Sequence, residues 1–154
     1  MRILAVDPGI KLGYALQLDW GVPLSGVQRF EISRDESPGM RWLRFRAWLK
    51  EVNEKAGGIG VIYHERPHHR GGAATAILEG FVSQLQAFAA EHRIEIKAVH
   101  SGTLKKFGTG SGAAGKPQMM AAAGARYPDR VIIDDNEADA LILLDFARKE
   151  LRID

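Results

Sequence analysis

Near its start the chain has the stretch RILAVDPG at residues 2–9, which is the most informative stretch for predicting the fold. Residues 2–6 are apolar enough to form a buried strand, and Asp7-Pro8-Gly9 is a turn signal that ends it. The alternating residues 13–18 predict the second strand of a hairpin, and residues 27–32 predict a third antiparallel strand. The sequence therefore begins with three strands, the first of which leads into an aspartate.

The rest of the chain combines helical patterns with two more strands. Ser37-Pro38 begins a helix with apolar residues at helical spacing, and Gly57-Gly58 ends it. The later predicted elements are a strand at 60–65, a helix at 73–91, a strand at 95–99, a short helical turn at 101–106, a mobile Gly/Ser/Ala loop at 107–115, and helices at 117–127 and 136–151. This order predicts one α/β domain over residues 1–154, with a five-stranded mixed β-sheet and helices on both faces.

The composition is that of a soluble globular protein. Of the 154 residues, 45% are hydrophobic and 26% are charged, and there is no cysteine. The lack of cysteine excludes disulfides and thiolate metal sites, and it favours a reducing, cytoplasmic compartment. No stretch approaches the roughly 20 apolar residues that span a bilayer, so we expect no membrane partner.

The net charge is only +2, but the charges are unevenly distributed. Basic residues cluster in three stretches: Arg41, Arg44, Arg46 and Lys50; residues 66–70; and Lys105, Lys106 and Lys116. Acidic residues crowd near the C-terminus at Asp134, Asp135, Glu137 and Asp139. This distribution suits an enzyme that grips a polyanion and binds a cation where the chemistry occurs, although ordinary solvated charge is an alternative.

Three acidic residues are the strongest candidates for catalytic chemistry: Asp7, Glu65 and Asp139. Parallel neighbouring strands would bring Asp7 and Glu65 to one edge of the sheet, where open α/β folds bind ligands. In a helix that starts near residue 136, positions 135, 136 and 139 share a face with one another. Carboxylates gathered at one place repel each other unless a divalent cation lies between them. Oxygen ligands without cysteine favour Mg²⁺ or Mn²⁺.

Two such ions can activate a water and stabilise the leaving oxygen in phosphodiester hydrolysis. A purely structural interpretation is also open: Asp7 would cap a turn, Glu65 would pair with Arg66, and the C-terminal acids would cap a helix.

Four stretches of the chain also occur in an order and spacing typical of one protein family. They are ILAVDPG at residues 3–9 with Gly13-Tyr14 following, Glu65 at a strand end, the segment from Leu104-Lys105-Lys106 through Gly108-Thr109-Gly110 to Lys116-Pro117-Gln118-Met119, and EADAL at residues 137–141. Together they resemble RuvC-type Holliday junction resolvases. The chain length and the glycine loop resemble virus-borne members of that family.

The resemblance implies a structure-specific DNA endonuclease with the RNase H-like fold. It implies a homodimer that nicks opposed strands of a four-way junction, with two Mg²⁺ per active site for which Mn²⁺ can substitute. Likeness to virus-borne members further implies cleavage of flaps and forks, in the cytoplasm of a bacterial or virus-infected bacterial cell.

Carried over position by position, the resemblance makes Asp7, Glu65 and Asp139 metal ligands. Cellular members have a second aspartate three residues before the last one, where this chain has Asn136. Either Asp135 is the fourth ligand or Asn136 contributes an amide oxygen. We favour Asp135, because neutralising two cations needs carboxylates.

The basic residues receive roles by position. Lys116 is expected to meet the scissile phosphate or the attacking water, whereas Lys105 and Lys106 are expected to contact phosphates without recognising sequence. Cellular members place an aromatic wedge in the loop after the strand-end glutamate. This chain has Arg66, Pro67, His68, His69 and Arg70 there instead, and we expect its basic members to bind DNA.

Aromatic residues on the first helix have a less functional interpretation. Trp42, Phe45 and Trp48 are expected to contribute to the core or to a dimer contact rather than to base stacking.

Two motifs in the sequence are misleading. Residues 64–68 match the HExxH zinc pattern, but they follow a strand and Pro67 breaks any helix. Residues 110–116 match GxxxxGK, yet Pro117 replaces the Ser/Thr of a P-loop and no strand precedes them.

The remaining alternatives are an RNase H-like nuclease for flaps, forks or RNA, and a non-catalytic protein that binds branched DNA.

Overall fold

A five-stranded mixed sheet forms the centre of the molecule in the computed structural model, which describes residues 1–67 and 71–153. The strands are β1 (Ile3–Asp7), β2 (Lys11–Gln17), β3 (Leu24–Arg29), β4 (Val61–Glu65) and β5 (Glu95–Val99). Their order is β3-β2-β1-β4-β5. The first three strands are antiparallel neighbours, whereas β1, β4 and β5 are parallel. The expected mixed sheet is confirmed.

Helices cover both faces of this sheet, also as expected. They are α1 (Gly39–Ala56), α2 (Gly72–Glu91), α3 (Ser101–Thr109), α4 (Lys116–Arg126) and α5 (Asp135–Glu150). Within the described ranges, no helix combines the length and the apolar character needed to cross a bilayer.

The alternation of β1 divides the core into two layers. Ile3 and Ala5 face the layer that contains α4 and α5, whereas Leu4 and Val6 face the layer that contains α1 and α2. All four side chains are fully buried. A strand buried on both faces must be apolar throughout, which is why the opening stretch of the sequence marks the middle of the sheet.

The aromatic residues of α1 belong to the second layer, as expected. Phe45 is buried and packs edge-on against Phe81 of α2, at 5.0 Å between ring centroids. Trp42 also packs edge-on against Phe81, and Trp48 contacts Phe45.

The predicted third strand was misplaced by three residues. β3 comprises Leu24–Arg29 rather than residues 27–32, and it pairs with β2 from Leu16↔Leu24 to Lys11↔Arg29. Phe30, just beyond the strand, is buried in the aromatic layer, so its apolar character reflects core packing rather than strand alternation.

The predicted loop at residues 107–115 was also wrong in its first part. α3 continues to Thr109, because Phe107 packs edge-on against Phe146 and Gly108 lies against Ile142. Residues 110–115 connect α3 to α4, and within them the backbone N–H of Ala114 donates to the carbonyl of Ser111 at 3.2 Å.

Candidate metal centre

Three carboxylates from distant parts of the chain meet at one end of the sheet. Asp7 is the last residue of β1 and Glu65 is the last residue of β4, and these strands are parallel neighbours in the register Val6↔His64. Asp139 comes from the second turn of α5. One carboxylate oxygen of each residue lies within 4.8 Å of the others. The predicted convergence of these three side chains is therefore present.

The beginning of α5 is fixed against the sheet by its cap and by a glycine. The backbone N–H of Asn136 donates to Asp134 Oδ1 at 2.7 Å, which makes Asp134 the N-cap residue. Lys11 Nζ lies 3.1 Å from Asp134 Oδ2 and joins this cap to β2. Next to them, Gly13 of β2 lies directly under the Asn136 carbonyl. Close approach of α5 to β2 places Asp139 over the strand ends.

Burial and neighbouring negative charges raise the pKa of two members of this cluster, Asp7 and Asp139. Burial, followed by the charges of Glu65 and Asp139, raises the pKa of Asp7 well above its ordinary value. Burial and then the charges of Glu65 and Asp135 raise the pKa of Asp139 to about 7, although Lys105 and Lys116 act in the opposite direction. Negative charge is therefore unfavourable here in the absence of a cation.

A fourth carboxylate, that of Asp135, faces a cleft beside this cluster, which we call the acidic cleft. Together with Glu65, Asp139, Lys105 and Lys116 it lines a cavity of about 260 Å³. Its Oδ2 lies 3.6 Å from Lys116 Nζ, and its charge contributes to the raised pKa of both Asp7 and Asp139. The carboxylate of Asp135 is thus placed beside the three-residue cluster.

Asn136 occupies a different place. Its backbone N–H binds Asp134, and its backbone carbonyl packs against Gly13.

Two lysines border the acidic cleft from α3 and α4. Lys105 is half-buried, and Lys116 begins α4 with a side chain that is 81% exposed. The N–H of Gly115 donates to Gln118 Oε1 at 3.0 Å, so a side-chain bond closes the first turn of α4 behind Lys116. Lys106, the neighbour of Lys105 on α3, is exposed.

Arg66 follows Glu65 directly at the end of β4. Its backbone N–H donates to the Val99 carbonyl at 2.8 Å, which continues the parallel pairing of β4 and β5 past Glu65. Its side chain is exposed beside a recess of about 120 Å³ that Asp7 and Glu65 also line. The other proposed DNA-binding residues of this segment, His68, His69 and Arg70, lie outside the described residues.

The acidic group near the C-terminus divides into two pairs with different roles. Asp135 and Asp139 face the cleft, whereas Asp134 caps α5. Glu137 accepts a hydrogen bond from Ser25 Oγ at 2.7 Å and so joins α5 to β3. The sequence showed the cluster but not this division, which depends on the residue at which the helix begins.

Sequence reasoning also missed several residues of this region. Gly13 and Lys11 support the start of α5, and the buried Ser101 lines the acidic cleft. A glycine within an alternating strand is a sequence signal for close backbone approach, and it could have identified Gly13.

The geometry of the two misleading motifs agrees with their rejection. His64 is a buried residue of β4 whose Nδ1 lies 3.0 Å from the Glu65 carbonyl. Residues 110–116 follow α3 rather than a strand.

The donor set fits hard divalent cations. Three carboxylates from β1, β4 and α5 have oxygens within 4.8 Å of one another, and a fourth carboxylate, that of Asp135, lines the adjoining cleft. Such a set of oxygen ligands is what Mg²⁺ and Mn²⁺ prefer, and a bound cation would offset the burial and the repulsion that raise the pKa values of Asp7 and Asp139.

Comparisons with known proteins identify the fold. A scan against protein-family models finds no match, and a search of curated proteins finds none either. Among solved structures, the chain is similar to Thermus thermophilus RuvC, with a TM-score of 0.76 and 19% identity over 97% of each chain. It is also similar to T. thermophilus RuvC in complex with a Holliday junction substrate, with a TM-score of 0.79 and 19% identity over 97% of this chain and 96% of that one. The chain therefore has the RNase H-like α/β fold of these RuvC structures.

Proposed function

We propose that this protein is a divalent-metal-dependent, structure-specific DNA endonuclease that resolves four-way junctions. The observation that carries the proposal is the cluster of Asp7, Glu65 and Asp139, whose carboxylate oxygens lie within 4.8 Å of one another between flanking lysines. A site that combines concentrated negative charge with nearby cations suits the hydrolysis of a polyanion with the help of metal ions.

The metal ligands in this proposal are Asp7, Glu65 and Asp139, with Asp135 as the fourth. Asp135 is preferred to Asn136 because its carboxylate lines the cleft. The set would hold two Mg²⁺, or Mn²⁺ in their place. When bound, these ions supply the activation of water and the stabilisation of the leaving oxygen.

The chain's own residues position the substrate. We propose that Lys116, which is highly exposed and lines the cleft, contacts the scissile phosphate, and that Lys105 contacts a neighbouring one. The exposed Lys106 and Arg66, which follow Lys105 and Glu65 in the chain, add positive charge near them. Contacts of this kind orient DNA without recognising its sequence, as a structure-specific enzyme requires.

The choice of a four-way junction as substrate is supported by overall architecture. The fold covers nearly the whole length of a RuvC that was solved with a Holliday junction substrate. By the same likeness we propose a homodimer, since symmetric nicking of a junction needs two active sites. We also propose that the protein acts in the cytoplasm of a bacterial or virus-infected bacterial cell.

Parallel digests test the proposal. Four-way junction, flap, RNA/DNA hybrid and plain duplex are each incubated with the protein in Mg²⁺ and in EDTA. We expect paired nicks in the junction that require Mg²⁺, and Asp7→Asn should retain junction binding but lose cleavage. Undiminished cutting by Asp7→Asn would contradict the proposed metal-dependent mechanism. Preferential digestion of the hybrid would show that RNA/DNA rather than the junction is the substrate. Tight junction binding without nicking would indicate a non-catalytic protein.

A further inference from the structure

Two exposed aliphatic side chains lie directly before the helix that carries Asp135 and Asp139. Residues 131–134 lie between α4 and α5 outside any helix or strand, and the last of them, Asp134, has an extended backbone. In this segment Val131 is 85% exposed and Ile133 is 86% exposed, whereas Ile132 between them packs against the core. This alternation places Val131 and Ile133 on the outer face of the segment.

The segment is anchored at both ends. At its start the Arg130 guanidinium donates to Ser25 Oγ and to the Pro23 carbonyl, and it also lies over the Tyr127 ring. At its end Asp134 caps α5 and pairs with Lys11 at 3.1 Å. With Ile132 held in the core between these anchors, the two exposed side chains project from a fixed support rather than from a loose loop.

Position relates this pair to the proposed active site. Ile133 is two residues before Asp135, a span of about 7 Å in extended chain. Successive nucleotides of one strand are about 3.4 Å apart along the helix axis. A strand whose phosphate lies in the cleft at Asp135 and Lys116 therefore has its next few nucleotides within reach of Ile133 and Val131.

The chemistry of the pair favours bases over other occupants. Aliphatic side chains offer nothing to a phosphate, but they can enter between bases and unstack them, as wedge residues of other DNA-binding proteins do. Two side chains also bury far less surface than the roughly 800 Å² per partner that a stable protein interface buries. The cations Lys105 and Lys116 that border the adjoining cleft complement DNA.

We propose that Val131 and Ile133 form an apolar wedge that packs against bases beside the scissile phosphate and holds them unstacked at the branch point. The wedge rests on the proposed function and adds to it the element that opens the DNA. It acts by positioning the substrate and takes no part in bond breaking.

The wedge is tested with the double variant Val131→Thr/Ile133→Thr. Val22→Thr is the matched control, since Val22 is 81% exposed on the β2–β3 turn and lies outside the proposed wedge. Junctions carry 2-aminopurine next to the cut, and binding is measured in Ca²⁺. We expect wild type and Val22→Thr to raise the 2-aminopurine emission and the double variant not to. The double variant should cut a fully paired junction at least tenfold more slowly, with a smaller loss on a junction mismatched next to the crossover.

Three results would overturn the wedge. The first is wild-type emission and cutting by the double variant, and the second is an equal loss on paired and mismatched junctions. The third is a lower molar mass of the double variant by light scattering, because the pair would then join two copies of the chain. These results differ from failure of the proposed function, in which the wild-type protein itself cuts no branched DNA.

Discussion

A Cβ atom added to Gly13 would lie 1.9 Å from the carbonyl oxygen of Asn136 and 2.2 Å from its carbonyl carbon. No real side chain tolerates such a distance, so a glycine at position 13 is what allows the first turn of α5 to lie on β2. Because α5 carries Asp135 and Asp139, this contact sets their distance from Asp7 and Glu65. A backbone contact between a strand and a helix thus determines the geometry of the acidic cleft.

Gly13→Ala should therefore damage both stability and catalysis. We expect the free energy of unfolding to fall by about 2 kcal/mol, because overpacking a closely packed contact destabilises a protein by an amount of this order. Cleavage should fall further than the unfolded fraction explains, because the start of α5 must shift. Gly124→Ala is the control. Gly124 lies in α4, and among the described residues an added Cβ meets nothing within 4 Å beyond its own helix backbone and chain neighbours, so stability should rise by about 0.5 kcal/mol. Urea titrations and nicking assays would contradict this account if both variants behaved alike.

The electrostatics of the acidic cluster predict how stability depends on pH. An unfolded chain releases the Asp139 proton near the ordinary pKa of 3.8, whereas the folded metal-free protein releases it only near a pKa of about 7. The folded state therefore holds the extra proton within this window. Asp139 consequently makes the metal-free protein less stable as the pH rises from about 4 to about 7, with no further loss above that range.

Replacing Asp139 with asparagine removes that titration. In EDTA at pH 8, Asp139→Asn should melt about 3–6 °C above wild type, and the difference should vanish near pH 4. Mg²⁺ at pH 8 should raise the melting temperature of wild type far more than that of the variant. Melting curves with the same pH dependence for both proteins would show that burial and the neighbouring carboxylates do not raise the pKa of Asp139.

The identity of the fourth ligand can be decided by comparing two adjacent residues. If Asp135 completes the metal site, Asp135→Asn should raise the Mg²⁺ concentration needed for half-maximal nicking by about tenfold or more. Asn136→Ala should change it little, since the backbone N–H and the side chain of Asn136 both bond to the cap residue Asp134. The reverse pattern in the same Mg²⁺ titrations would assign the ligand to Asn136.

This choice also shows where sequence reasoning reaches its limit. Asp7 and Glu65 could be placed together from the sequence, because parallel strands that end in acids put them at one edge. The roles of Asp134, Asp135 and Asn136 depend on whether α5 begins one residue earlier or later, and helix ends are the least certain part of any sequence pattern. In the structure α5 begins at Asp135, which makes Asp134 the cap.

Tertiary packing explains the other differences. Gly108 and Thr109 have the composition of a loop, yet α3 continues through them because Gly108 fits against Ile142. Such contacts override weak local propensity. The closeness of Gly13 to Asn136 likewise joins residues far apart in the chain, and its only trace in the sequence is a glycine within a strand.

A second close approach predicts a variant that affects stability alone. A Cβ on Gly80 of α2 would lie 2.5 Å from two ring atoms of Trp42 on α1. Gly80→Ala should lower the free energy of unfolding by about 1–3 kcal/mol, and adding Trp42→Leu should recover part of that loss. Urea titrations measure both. Since this helix pair lies on the sheet face away from α5, the Mg²⁺ dependence of nicking should stay that of wild type, and a shifted dependence would contradict the separation of the two layers.

The salt dependence of DNA binding tests the lysines. Each phosphate contact that is lost should reduce the slope of log K against log salt by about 0.9. Lys105 lines the acidic cleft, so Lys105→Ala should show this reduction for junction and duplex alike, since a phosphate contact carries no sequence information. Lys55→Ala is the matched control, because Lys55 pairs with Glu51 on α1 at 2.7 Å, outside the cleft. Binding of a labelled junction is measured by anisotropy in Ca²⁺ over a salt series. An unchanged slope for Lys105→Ala, or an equal reduction for Lys55→Ala, would show that the positive charge beside the cleft does not guide the DNA there.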